Sequence, residues 1–285
     1  MWKDICTQAE CFLKEHGFSS PPLPPDQALA ARKLEVTQLS LDDLLVKANL
    51  PPKEHKKIQA MLDVEERAVT FRAGLPMQQR NWGALHEIGH EFLPWQRELL
   101  CFCPLLWLPV NLQEQFEAEA DIFAAEAFFF GDQFERYASQ GDWSLATARD
   151  LAEKVYGTSL HATFHHYVER SAVPACLLVW RPATPKGDVW LPQSVSLHYY
   201  VPSKTFRGHI DPGQIADPEE VVSKLFNDPS IEGIVRHDMV FKTKSGDELV
   251  ASAESFCNSY AVFTLISQPR SPSKVVPAAS ILKSQ

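Results

Sequence analysis

Residues 81–93 read NWGALHEIGHEFL, with two histidines four apart and a glutamate directly after the first. On an α-helix, positions i and i+4 lie one above the other on one face. His86 and His90 can therefore hold one metal ion between them. Glu87 then sits beside that face, where its carboxylate can handle the proton of a water molecule. Gly89, inside the same segment, costs about 1 kcal/mol of helix propensity against alanine. That cost makes sense if something must approach the helix closely. The plain alternative is a solvated helix face that carries polar residues by chance.

A catalytic zinc site needs a third protein ligand and an open position. The stretch EQFEAEADIFAAE, residues 114–126, holds five carboxylates, of which Glu117, Glu119 and Asp121 are the ones to weigh. Glu117 and Asp121 are four apart and share a helical face, whereas Glu119 lies roughly 200° around the helix from Glu117. A ligand carboxylate followed one turn later by an aspartate is useful chemistry, because the aspartate can accept the spare N–H of a ligand histidine and fix its ring. Glu117 is therefore the expected ligand and Asp121 its supporting neighbour, with Glu119 as the alternative ligand.

The chain has 285 residues, of which 45 % are hydrophobic, enough for one large or two ordinary domains with a real core. The longest apolar run, CFCPLLWLPV at 101–110, is about half a membrane span and is interrupted by Pro104 and Pro109. The N-terminal MWKDICTQAECFLKEHGF mixes acids among its apolar residues and has no small-residue cleavage site, unlike a signal peptide. A cytoplasmic protein with no membrane partner is expected. Six scattered cysteines without a CxxC pair point to free thiols rather than a disulfide framework or a four-cysteine zinc site. The net charge of −9 resides wholly in residues 1–170, with 16 basic and 25 acidic side chains; residues 171–285 carry 11 of each. An acidic first part argues against wholesale nucleic-acid binding there.

Helices are predicted over 3–16, 26–34 and 41–48, the last with Ser40 as N-cap. A strand is predicted over 66–72. The helix with the histidine pair should run from about 80 to Pro94, followed by an irregular segment to about 111. One long helix is expected over 112–138, then two more at 144–156 and 159–170. After residue 173 the texture changes to the β-rich ACLLVW, SVSLHYYV, GIVRHDMVF and YAVFTLIS, with one helix, DPEEVVSKLF, between them. The expected fold class is thus α+β. A mainly helical domain over 1–172 precedes a smaller β-rich domain over 173–268, and residues 269–285 have the composition of a disordered tail.

The pair HEIGH and FEAEADIFAAEAFFF resembles the ImmA/IrrE family of zinc metallopeptidases, and ARDLAEKVYGTSLHATFHHYVER is similar to the helical pair that follows in that family. The resemblance covers about residues 20–170. It implies a zincin-like site with Zn²⁺ on His86, His90 and Glu117, Glu87 as general base, and a helix-turn-helix transcriptional repressor as the protein substrate. The region after 173 is similar in size and position to the GAF-like sensory domain of the IrrE branch. The CapP-type peptidases of anti-phage operons are the branch suggested, which implies derepression of a stress or defence operon. Two departures stand out: AFFFGDQF replaces a commoner Leu-Leu-Met-Pro segment, and the family's frequent N-terminal helix-turn-helix is not seen in residues 1–285, so a repressor partner is expected to be a separate chain.

Three finer expectations follow. Tyr156, His161, His165 and His166 are the candidates for steadying an oxyanion. Lys204, Phe206, Arg207, Lys242 and Lys244, with Arg236 and His237, mix basic and aromatic groups in a way that suits single-stranded DNA as an activator, with Phe206 or a tyrosine stacking on bases. Finally, a thiolate is a better zinc ligand than water. Cys101 or Cys103 in LLCFCPLLWLP is therefore a candidate to occupy the open position at rest. Cys101 is favoured because Cys103, before Pro104, is the more restricted.

Overall fold

The computed structural model describes residues 2–37, 39–47, 58–102, 105, 108–182, 195–206, 219–228, 230–242, 248–258 and 260–270. Helix α1 (Trp2–Glu15) buries Ile5, Ala9, Phe12 and Leu13, a stripe at helical spacing, and Gly17 at φ +73° follows its end. α2 spans Pro25–Ala31 and α3 spans Leu41–Lys47, where the Ser40 hydroxyl accepts the Asp43 N–H at 3.4 Å as the expected cap. Three short strands form a sheet in the order β1 (Glu35–Val36), β3 (Ala68–Phe71), β2 (Ala60–Asp63), with β1 parallel and β2 antiparallel to β3. Sequence alternation finds β3 but neither β2 nor the two-residue β1. β2 lies at a sheet edge.

Helix α4 (Met77–Phe92) carries the histidine pair and starts about three residues earlier than expected, directly after Pro76. The segment read as irregular contains α5 (Pro94–Leu100). Pro94 starts this helix as its first residue, where its missing N–H has no partner to lose. The single long helix expected over 112–138 is two: α6 (Val110–Phe129) and α7 (Gln133–Ala138). Phe130 at φ 57° and Gly131 at φ 50° turn the chain left-handed between them while the apolar pattern runs on unbroken. α4 and α1 both pack on α6, and the Phe12 ring lies 5.5 Å from that of Phe92 and 5.6 Å from that of Phe123.

The chain divides into two units, one of residues 1–140 and 150–159, the other of 141–149 and 160–285. The division expected near 171–175 is therefore displaced. Helix α8 (Leu145–Asp150) continues as a π-helical turn to Tyr156, ended by Gly157 at φ +63°, and α9 spans Leu160–Glu169. α9 belongs to the second unit because its Phe164 packs on Phe256 and Phe263 at 6.5 and 5.1 Å. Trp143 stacks on Tyr167 at 4.0 Å, and the Leu145 N–H donates to Glu254 at 2.8 Å. The change of composition at 173 marks where strands begin, not where packing changes.

The second unit is a five-stranded antiparallel sheet in the order β5-β4-β8-β7-β6, formed by β4 (Ala175–Pro182), β5 (Val195–Pro202), β6 (Ile234–Lys242), β7 (Glu248–Cys257) and β8 (Val262–Arg270). Helix α10 (Glu219–Asn227) follows β5. Phe164 of α9 covers the face that bears Phe263, while Val222 and Leu225 of α10 join Cys176, Leu178 and Ile266 on the other. A strand covered on both faces has no polar side, which explains the unbroken apolar run Ala175–Trp180. β7 escapes sequence reading because ELVASAESFC is rich in alanine, serine and glutamate, which few strands favour. β8 reaches Arg270, and the rest of the expected tail, 271–285, lies outside the described residues. Among the described residues no helix is long and apolar enough to cross a membrane.

Candidate metal centre

The α4–α6 crossing builds the centre. At Gly89 the two helices meet so closely that a Cβ would lie 3.2 Å from the Ala120 Cα and 3.3 Å from the Ala120 carbonyl oxygen. The close neighbouring helix backbone therefore favours glycine here, which accounts for its helix-propensity cost. Each small residue adjoins the functional ones: Gly89 precedes His90, and Ala120 lies between Glu119 and Asp121. The crossing brings one i, i+4 pair to face the other.

His86 Nε2 lies 3.1 Å from Glu117 Oε2 and 3.1 Å from His90 Nε2; His90 Nε2 is 3.8 Å from Glu117 Oε1. These three residues each offer a ligand atom within 4.8 Å of the others, the one such group among the described residues. Their donor set, two imidazoles and a carboxylate, suits zinc with a position left open. Asp121 accepts from His86 Nδ1 at 2.9 Å, the supporting role expected of it. The alternative ligand Glu119 points elsewhere. It is buried, and its carboxylate accepts from Trp95 Nε1 at 2.6 Å, Gln96 Nε2 at 2.8 Å and Gln115 Nε2 at 2.8 Å.

The electrostatics suit a cation at this centre. Burial opposes the charged form of His86, but hydrogen bonds to Asp121 and Glu117 and the nearby Glu87 charge outweigh it and raise its pKa to about 10. Burial and the charged His86 hold His90 below its ordinary value. The Glu117 side chain is half exposed; the burial it has opposes its charge, yet the two histidines keep its pKa below the usual carboxylate range. A proton thus sits among carboxylates where a divalent cation would replace it. Burial is the main cause that raises Glu87 to about 7; the charge of His86 opposes this, Glu117 adds to it, and a backbone hydrogen bond from Leu62 of β2 opposes it.

Sequence reading missed the support behind this centre. His90 Nδ1 bonds Gln96 Oε1 at 2.7 Å, and Gln96 sits fully buried on α5. Nothing in the spacing of residues 90 and 96 announces this, since it depends on a helix inside the segment read as irregular. Glu91, also buried, is clamped by Arg32 through two bonds of 2.7 and 2.9 Å and by Arg67 at 3.3 Å, which ties α4 to α2 and to the β2–β3 connection.

Other expected site residues lie apart from this role. Cys101, exposed at the end of α5, is not in the convergent group, and Cys103 lies outside the described residues. Tyr156 is a core residue among Phe129, Phe134 and Tyr137, where burial pushes its hydroxyl pKa up, so it is not placed as an oxyanion donor. His161, His165 and His166 belong to the second unit; His161 Nε2 bonds the Tyr199 hydroxyl, and His165 lies 3.6 Å from Glu169. Phe206 is only 9 % exposed and packs in the second unit's core, so it cannot stack on bases as expected. Lys204 is exposed, Arg236 pairs with Glu254 at 2.9 Å, and His237 bonds Ser255 at 2.8 Å. Arg207, Lys244 and the Lys242 side chain lie outside the described residues.

No protein-family model and no curated protein matches the chain. Among solved structures it is similar to a chain described as a Mycobacterium tuberculosis transcriptional regulator. The TM-score is 0.55 at 16 % identity, covering 93 % of this chain and 76 % of that one. At that identity the likeness speaks for the fold alone. Fold and site together define a mixed α+β chain whose first unit carries a candidate metal centre of two histidines and one carboxylate.

Proposed function

We propose that this chain is a zinc-dependent endopeptidase of the ImmA/IrrE type, zincin-like at the metal and followed by a GAF-like regulatory unit. One observation carries the reading: His86, His90 and Glu117 converge while the buried Glu87 lies on the same helix beside them. A zinc ion held by those three residues would supply Lewis-acid polarisation of a scissile carbonyl and acidification of a water molecule. Glu87 does not ligate. Raised to about 7 by burial, it can take a proton and return it to a leaving amine near neutrality. Asp121 and Gln96 hold the imidazoles so that both Nε2 atoms face inward. Among the described residues β2 has no strand partner on the edge where Leu62 meets Glu87, and an extended peptide adding there as a strand would lie beside Glu87.

The substrate we propose is a helix-turn-helix repressor, whose cleavage would derepress a stress or anti-phage operon in the cytoplasm. A role in transcription would agree with the description of the structurally similar chain as a transcriptional regulator, a likeness of fold. Single-stranded DNA as activator rests on the basic groups Lys204, Arg207, Lys242 and Lys244, without Phe206. The test is to load the protein with zinc and incubate it with the repressor encoded beside it, with and without single-stranded DNA, comparing wild type with Glu87→Gln. The variant should keep its fold and zinc content but cleave nothing. Equal cleavage by both proteins refutes the role of Glu87. A wild type that takes up no zinc refutes the centre.

A further inference from the structure

The two histidines are steadied by different devices. His86 Nδ1 meets a carboxylate directly, whereas His90 Nδ1 meets the oxygen of a neutral amide, Gln96 Oε1, at 2.7 Å. An amide is ambiguous, because a half-turn of its end would present an N–H₂ donor instead. Facing that donor, His90 could bond only through an unprotonated Nδ1, and its remaining proton would then sit on Nε2, the atom that must be bare to bind a metal.

What forbids the half-turn is Glu119. Gln96 Nε2 donates to Glu119 Oε2 at 2.8 Å and to the Phe116 carbonyl at 3.2 Å. In the turned amide an oxygen would face a carboxylate oxygen and a carbonyl oxygen inside a buried pocket, with Gln96 fully buried and Glu119 at 2 % exposure. Leaving acceptors face to face where no water can intervene is strongly unfavourable. Glu119 is itself held by Trp95 Nε1 at 2.6 Å and Gln115 Nε2 at 2.8 Å, so it cannot swing aside cheaply.

We propose that Glu119 is a positioning residue, which through Gln96 sets the tautomer of His90 so that Nε2 is the atom offered to a metal. This rests on the metal-centre reading above and extends it to a carboxylate that no metal touches. Its signature is non-additivity, since Glu119 acts on His90 only by way of Gln96.

The test uses the full chain with ¹⁵N-labelled histidine and zinc titrations against a chromophoric chelator. In the metal-free wild type, the His90 ¹⁵N shifts should report the proton on Nδ1. Glu119→Met and Gln96→Met should each lower zinc affinity about 10- to 100-fold, the usual cost of losing the support of a ligand histidine. The double variant should bind no more weakly than Gln96→Met, and Glu119→Gln, which keeps an acceptor oxygen, should retain most of the affinity. Additive losses, or a His90 proton on Nε2 in the metal-free wild type, overturn the proposal. The tautomer measurement needs no metal, so a His90 proton on Nε2 refutes the relay even where a variant unfolds or where zinc binding itself fails.

Discussion

Replacing Gly89 with alanine tests whether the helix crossing, rather than the helix alone, explains the glycine. Two effects oppose each other. Alanine favours the helix by about 1 kcal/mol. The new methyl, however, would sit 3.2 Å from Ala120 Cα, 3.2 Å from Phe123 Cδ1 and 3.3 Å from the Ala120 carbonyl oxygen, inside the roughly 3.5–4.0 Å of ordinary contact. Two of those three atoms are backbone and cannot rotate away, so α4 and α6 must part by a few tenths of an ångström. Overpacking of this kind costs about 1–3 kcal/mol, which leaves a net loss on the order of 1 kcal/mol. For a chain of this size that lowers the melting temperature by roughly 2–4 °C. Because His90 and Asp121 flank the contact, parting the helices also separates the two halves of the centre, and zinc affinity should fall about tenfold, at the low end of losses from disturbed ligand support. Thermal unfolding of the metal-free protein and chelator competition measure the two effects. A Gly89→Ala protein that is more stable than wild type and binds zinc equally well would refute the reasoning.

Zinc affinity should rise with pH. In the metal-free centre the raised pKa of His86, about 10, keeps that residue protonated, while His90 and Glu117 are held in their ligating forms. Binding therefore releases ~1 proton and the apparent affinity should climb about tenfold per pH unit between roughly pH 6 and 9; a flat profile in competition titrations would contradict it. Glu91 is buried but its partners Arg32 and Arg67 are partly exposed, so Glu91→Ala should destabilise the protein by about 1–3 kcal/mol in denaturant unfolding. If the loss stays below about 1 kcal/mol, the Arg32–Glu91–Arg67 clamp is not a structural tie. Phe164→Ala, which opens a hole between α9 and the sheet, should cost about 3–5 kcal/mol. A near-neutral result would argue that α9 does not belong with the second unit's core.

Much of the site was legible because its elements are local. HEIGH and the Glu117–Asp121 pair show their i, i+4 spacing wherever the helices lie, and Glu117 is preferred over Glu119 as the converging carboxylate because it shares a face with Asp121. Gly89 pointed to a close approach but could not say to what. The roles of Gln96 and Glu119 were out of reach, since a glutamine six residues after a histidine means nothing until a helix starting at Pro94 turns it back. Phe206 shows the opposite failure: an aromatic residue between basic ones looked like a stacking platform, and burial against Val222 and Leu225 excludes it.

By itself, the sequence determined where most helices form, which faces pair their functional groups, and that the chain turns β-rich after residue 173. Those features arise from backbone periodicity and capping within a few residues of chain. Only the tertiary structure decided that α6 crosses α4 at Gly89 and Ala120, that Gln96 stands behind His90, and that α9 joins the sheet rather than the helices before it. Such contacts join residues tens of positions apart, and they are selected by shape and by the satisfaction of buried polar groups, neither of which leaves a period to read in a single chain.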